Sequence, residues 1–253
     1  MNFDPAYVPY PSTRYPIYAR EGIVATSSAQ ASAAGLEVLR QGGNAIDAAV
    51  AAAATLTVTE PFSNSIGSDA FAIVWTGGKL YGLNASGKAP LNISIEKLKR
   101  VAASQTGLKK IPHLGWEPTM VPGAPRAWAR LSERFGKLPL KKTMEGAIRY
   151  AREGYPLAPN LPAFFTAAAE AYKSFGGDKT IFDEWYKTYM PWKDTPRAGD
   201  ILVLKNHAET LEAIADTNSD AFYKGQLADR IVADSEALGG YFCKEDFSSY
   251  DTE

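Results

Sequence analysis

Cysteine and histidine are nearly missing from this 253-residue chain, which has one Cys and two His. Cys243 alone cannot close an internal disulfide or build a multi-cysteine zinc site, a pattern that suits a reducing compartment. Two histidines argue equally against a histidine-rich metal centre, and no cofactor is expected. An excess of one charge is missing too: 27 Lys plus Arg face 28 Asp plus Glu, leaving −1 at pH 7. The basic footprint of a phosphate-backbone binder is therefore absent, which disfavours nucleic acid as a partner. Long apolar runs are also missing. Ala45 to Val58 carries Asp47, Thr55 and Thr57 and falls short of the roughly 20 residues of a membrane span, so no membrane partner is expected. Residues 1–21 are rich in Tyr and Pro, lack a basic region leading into an apolar one, and read as an extended arm rather than a secretory signal. The expectation is a soluble, cytoplasmic protein.

What is present is core material: 45% of the residues are hydrophobic, enough for one large domain or two small ones. From Ser27 to Glu60 two helices follow one another. The first starts at Ser27-Ser28 and stops at Gly42-Gly43, and Asn44 caps the second, whose alanines suit close approach in a core. Phe71 to Trp75 and Leu80 to Leu83 read as strands joined by the hairpin turn Thr76-Gly77-Gly78-Lys79. Helical patterns then cover Ile93 to Ala103, Ala124 to Gly136, Leu140 to Arg152, Leu161 to Phe175, Asn206 to Ala215 and Ser219 to Leu238. Asp178 to Pro196, with Trp185, Tyr186, Tyr189 and Trp192 among charges, has no clear period and reads as a surface excursion. Lys244 to Glu253 is a closing polar run. No period of 20 to 50 residues recurs, which argues against a solenoid.

Few residues announce chemistry. Gly82-Leu-Asn-Ala-Ser-Gly87-Lys88 matches part of a phosphate-binding loop. However, Ala89 replaces the hydroxyl that would ligate Mg²⁺, and no apolar helix starts there. His113 and His207 stand apart from any nucleophile motif and read as surface or capping residues, and Cys243 as a lone packed thiol. The carboxylate pairs Asp183-Glu184 and Glu245-Asp246 read as solvated charge.

Several runs taken together resemble the γ-glutamyltransferase family of N-terminal-nucleophile hydrolases, specifically the front part of its large subunit. Gly22-Ile-Val-Ala-Thr-Ser-Ser with Ala34-Gly-Leu-Glu-Val-Leu-Arg-Gln-Gly-Gly-Asn-Ala-Ile-Asp-Ala-Ala-Val resembles the family's opening helix pair. Glu60-Pro-Phe-Ser-Asn-Ser-Ile-Gly-Ser-Asp-Ala-Phe resembles its glycine-rich segment, with Ser68 and Asp69 in place of glycines. Val121-Pro-Gly, Arg134-Phe-Gly-Lys-Leu-Pro, Ala147 to Pro156, and Asp220-Ala-Phe-Tyr-Lys-Gly through Gly239-Gly240 follow in the family's order, so the likeness runs from Gly22 to Asp246.

The resemblance implies an α/β fold in which this chain is the helix-rich portion of a four-layer αββα sandwich. Residues 22–253 would be completed by a separate small subunit, in a heterodimer or heterotetramer. The implied nucleophile is a threonine at the start of that subunit, with its own α-amino group as general base, acting on a small amide substrate through an acyl-enzyme. No catalytic residue is then expected on this chain. Where members that use γ-glutamyl donors read R-E-x-A-P, this chain reads Ser86-Gly87-Lys88-Ala89-Pro90. A bidentate arginine clamp on the donor carboxylate is lost. That departure resembles the acylase and amidohydrolase branches, cephalosporin-type acylases among them, and argues against glutathione. Ser86 and Lys88 become the candidate substrate-binding residues, the alternative being a tight turn with an exposed lysine. Two other readings stay open: a non-catalytic structural or binding fragment of the family, and, on Gly82 to Lys88 alone, a nucleotide-binding protein.

Overall fold

The computed structural model describes residues 16–105 and 110–253, and nearly all of the expected arm, residues 1–15, lies outside them. Helix α1 (Ala29–Arg40) opens on Ser28, whose hydroxyl accepts from the Ala31 N–H. Helix α2 (Ala45–Thr59) opens on a capping box. The Asn44 side chain accepts from the Ile46 and Asp47 amides while Asp47 accepts from the Asn44 N–H. Two orphan donors of the first turn are thereby paired. Small side chains over most of α2 let it pack on both α1 and the later helix α5, as its alanine content predicted.

Strands β1 (Ala70–Thr76) and β2 (Lys79–Ala85) form an antiparallel hairpin with Phe71 opposite Asn84 and Trp75 opposite Leu80. Gly77 and Gly78 both take positive φ, 57° and 74°, the demand of a two-residue turn that matches strand twist. Ala70, Ala72, Val74, Tyr81 and Leu83 pack toward the core. The other face leaves Phe71, Ile73, Trp75 and Leu80 between 65% and 82% exposed.

Helix α3 spans Ile95–Gln105, two residues later than its pattern suggested. Helix α4 (Ala124–Phe135) lies under the hairpin, and α5 (Leu140–Glu153) follows it. A two-residue ladder joins β3 (Tyr155–Pro156) to β4 (Ile201–Leu202). Between them the supposed surface excursion is ordered. Helix α6 (Leu161–Lys173), a 3₁₀ turn (Lys179–Phe182) and α7 (Asp183–Tyr189) close on one another through aromatic rings. Tyr172 stacks on Phe182 at 4.2 Å, Trp185 meets Tyr172 edge-on at 4.8 Å, and the Tyr186 hydroxyl donates to the Ala169 carbonyl. Helix α8 (Lys205–Asp216) packs on α5, extending a helical layer that runs α1, α2, α5, α8.

The single helix read over Ser219 to Leu238 is in fact two, α9 (Asp220–Lys224) and α10 (Gln226–Ala237), broken where Gly225 is extended. The closing polar run contains α11 (Lys244–Ser248). Beyond it, Glu253 lies alongside β2: the Asn84 N–H donates to the Glu253 carbonyl at 2.8 Å, and the Glu253 N–H returns to the Asn84 carbonyl at 2.9 Å. No helix among the described residues is long and apolar enough to cross a membrane.

Candidate functional site

The two candidate binding residues sit on the loop of residues 84–91, where β2 leaves the hairpin. Ser86 is half-buried and its N–H donates to Asn84 Oδ1 at 3.0 Å. Lys88 is exposed, and none of the ion pairs among the described residues includes it. Gly87 between them has φ +75°, and a Cβ there would lie 2.0 Å from the Val121 carbonyl oxygen. Only glycine allows that backbone approach, which the Val121 N–H completes by donating to the Lys88 carbonyl at 2.9 Å. Gly123 allows the same close approach on the other side of the contact, since its Cβ would fall 1.9 Å from the Ala85 carbonyl. The Val121-Pro-Gly run is thus the wall against which the loop is laid.

Three further segments converge on this wall. The Ser68 carbonyl accepts from the Gly123 and Ala124 N–H groups at 3.1 and 2.9 Å, so residues 65–69 cover the start of α4. The Tyr223 hydroxyl donates to the Pro122 carbonyl at 2.6 Å and accepts from the Arg126 N–H at 3.2 Å. Tyr250 stacks on Tyr223 at 5.5 Å, and its hydroxyl oxygen faces the Gly87 N–H, with burial pushing its pKa up. Asp246 is 5% exposed, and its two carboxylate oxygens accept from the Leu91 and Cys243 N–H groups, each at 2.8 Å. The reading of Glu245-Asp246 as solvated charge is therefore wrong for Asp246. Cys243 and Asp246 are the first and fourth positions of a capping box on α11, and that spacing was the signal available in the sequence.

Charge beside the loop is arranged in pairs. Arg126 is buried with its guanidinium 4.5 Å over the Tyr223 ring and 3.2 Å from Asp220. Arg130 holds Asp251 with Nε and Nη2 and reaches Glu133 at 3.1 Å. Its hydrogen bond holds the Asp251 carboxyl below the usual carboxylate range. Asp69 is exposed. The pocket of residues 82–83, 130, 133–135 and 251–253, which includes Arg130 and Asp251, is an open surface hollow of about 410 Å³.

Neither histidine joins the loop. His113 is exposed, as read. His207, in the first turn of α8, is half-buried rather than fully at the surface: it packs against α2 with Nε2 3.4 Å from the Thr57 hydroxyl. Burial pushes its pKa down to about 4. Thr57 is 2% exposed and its hydroxyl is already donated to the Ala54 carbonyl, so the contact belongs to the packing of α8 on α2. The phosphate-loop match also lacks its helix, because β2 is a hairpin strand and the next helix starts only at Ile95.

This helix-rich, mixed α/β chain matches the structures of N-terminal-nucleophile hydrolases. The gamma-glutamyltranspeptidase family model matches residues 31–253, and the chain belongs to that family. It is 30% identical over 240 residues to the glutathione hydrolase proenzyme of Escherichia coli K12, covering 93% of this chain and 40% of that protein. It therefore spans well under half the length of that relative. Among solved structures, cephalosporin acylase from Bacillus halodurans superposes with a TM-score of 0.90 at 47% identity, over 100% of this chain and 46% of that one. Helicobacter pylori gamma-glutamyltranspeptidase superposes at 0.82 with 28% identity, over 94% and 66%.

Proposed function

We propose that this chain is the large-subunit portion of an amide hydrolase or acyltransferase, and that Ser86 and Lys88 bind the acyl donor. The observation that carries the reading is the loop itself: a half-buried hydroxyl and an exposed cation flank Gly87 where the donor-binding arginine is expected. In this mechanism a threonine hydroxyl at the start of a small subunit attacks the amide carbonyl while its α-amino group takes the proton. The amine leaves with a proton, and water or an acceptor amine then takes the acyl group from the resulting ester. Lys88 supplies a point charge for a carboxylate and Ser86 one hydrogen bond, in place of the planar fork of an arginine. Glutathione is accordingly a poor donor, and an acyl group whose carboxylate is placed differently is preferred.

The partner reading is supported by the uncovered hairpin face of Phe71, Ile73, Trp75 and Leu80, an apolar patch of the kind that marks an interaction surface. We place the complex in the cytoplasm as a heterodimer or heterotetramer, to be checked by cell fractionation and sedimentation. Intact mass spectrometry of the purified protein, with sequencing of any second chain, tests the assignment. A companion beginning with Thr and turnover of a carboxylate-bearing amide support it, and a single species without amidase activity overturns it. In the active complex, Lys88→Ala raises KM for such donors about tenfold, the scale of one charge-assisted contact. An unchanged KM for every active amide removes Lys88 from the site.

A further inference from the structure

Several hydrogen bonds hold the loop that carries Ser86 and Lys88, and three of them bear on where those two residues stand. Asn84 Oδ1 holds the Ser86 N–H, the Val121 N–H holds the Lys88 carbonyl, and Asp246 Oδ1 holds the Leu91 N–H. The third tie differs in kind. It is the only one of the three made by a buried carboxylate, and it reaches the loop from a segment 155 residues further along the chain. Pro90, just before Leu91, has no N–H and is buried, so the backbone after the proline is fixed locally by the turn bond from the Ile93 N–H to the Pro90 carbonyl at 3.1 Å and, from outside the loop, by the Asp246 bond. The second oxygen of the same carboxylate takes the Cys243 N–H at 2.8 Å. One side chain thus joins the exit of the loop to the start of α11, and none of the ion pairs among the described residues uses it.

A carboxylate taken out of water without a cation is costly unless its lone pairs are filled. Here two backbone donors fill them, one from each segment, so the charge is satisfied only when both are in place. Asparagine offers one acceptor oxygen, and its NH₂ group would face an N–H donor. Alanine leaves both donors unpaired.

We propose that Asp246 is a positioning residue of the acyl-donor loop: by clamping the Leu91 amide to the start of α11 it sets where Ser86 and Lys88 stand. The inference rests on the acyl-donor reading of residues 86–88. Displacements of an ångström in groups that bind a substrate lower rates by orders of magnitude. The donor carboxylate therefore reports the position of Lys88 more sensitively than overall stability does.

The test uses the complete enzyme as wild type, Asp246→Asn, Asp246→Ala and Ser249→Ala. Ser249 donates to the Glu245 carbonyl next to the same helix and does not touch the loop, so Ser249→Ala controls for damage to α11. Hydrogen exchange is followed across residues 86–91, and kcat and KM are measured for one amide donor with a carboxylate on its acyl group and one without. In Asp246→Ala, exchange in 86–91 speeds at least tenfold while α2 and α5 keep their protection. KM for the carboxylate donor rises about tenfold, and the neutral donor changes less than twofold. Asp246→Asn falls between, and carries the measurement if the alanine variant does not fold. Exchange that is unchanged, or faster throughout the chain, overturns the inference, as does a parallel loss for both donors. If the wild type turns over neither donor, the acyl-donor reading fails separately, and local exchange still decides whether Asp246 holds the loop.

Discussion

Asn84 and Glu253 exchange both of their backbone hydrogen bonds, at 2.8 and 2.9 Å, so the hairpin's second strand has a neighbour on its outer edge. The opposite edge belongs to β1, and one whole face of the hairpin carries exposed Phe71, Ile73 and Trp75. Open edges and flat apolar faces template association between chains. The chain of 253 residues produced alone is expected to aggregate or to melt without cooperativity. Ile73→Lys together with Trp75→Lys should raise its soluble yield several-fold and abolish capture of the proposed small subunit. A sharp calorimetric transition for the unaltered single chain would count against this expectation.

Asp47 is 1% exposed and serves two segments at once. Its carboxylate accepts from the Asn44 N–H at 2.9 Å inside the capping box and from the Lys137 N–H at 3.0 Å in the turn between α4 and α5. Asn44 makes the same connection through its amide, which donates to the Phe135 carbonyl at 2.6 Å. Asp47→Ala leaves the Asn44 cap but removes the return half of the capping box and strands the Asn44 and Lys137 N–H donors, a loss of about 2–4 kcal/mol. Chemical denaturation of the complete protein should show that loss, with Asp47→Asn costing roughly half as much.

His207 makes stability depend on pH. Its folded pKa of about 4 lies below the ordinary value of 6.5, because the ring is desolvated against α2. The unfolded chain therefore binds the proton first as pH falls. The stability this histidine contributes is complete above about pH 6.5 and is lost on going down toward pH 4, by about 3 kcal/mol at most. Thermal melts at pH 7 and pH 5 should differ accordingly, and His207→Gln should flatten that window. A second loss at lower pH belongs to Asp251, whose depressed pKa reflects its hydrogen bond to Arg130. It is expected to survive in the His207 variant.

Local chemistry made much of this legible in advance. The Gly77-Gly78 turn, the Asn44 cap and the glycine stops after α4 and α5 are set by backbone preferences of a few neighbouring residues, and they stand where the sequence put them. What escaped depends on partners far along the chain. Tyr172 orders Phe182 and Trp185 by ring stacking, which has no sequence period. Asp246 looks solvated until Leu91 arrives to fill one of its oxygens. His207 looks isolated until α2 covers it. Gly225 ends α9 even though the apolar pattern continues on either side, because its backbone is extended at that point. Ser86 and Lys88 are candidates through their place in a family motif alone, and no physical signal in the neighbouring residues marks them.

Gly123 offers the sharpest test of how the loop is seated. Its φ is negative, so an alanine there carries no backbone strain of the left-handed kind, and the whole effect must come from space. The added methyl would meet the Ala85 carbonyl oxygen at 1.9 Å and the Tyr250 hydroxyl at 2.6 Å. The carbonyl belongs to the backbone of β2 and cannot rotate away, so residues 85–88 must lift from the Val121 wall. Gly123→Ala is expected to cost about 1–3 kcal/mol, the usual range for overpacking, and to break the Val121 to Lys88 hydrogen bond while leaving α1 and α2 in place. Gly67→Ala, where the nearest neighbour is the Ser65 hydroxyl at 3.5 Å, provides the comparison and should change stability by well under 1 kcal/mol. Hydrogen exchange at Val121 in the two variants separates them: fast in the first and unchanged in the second. Slow exchange at Val121 in Gly123→Ala would show that the wall yields and the loop stays where it is.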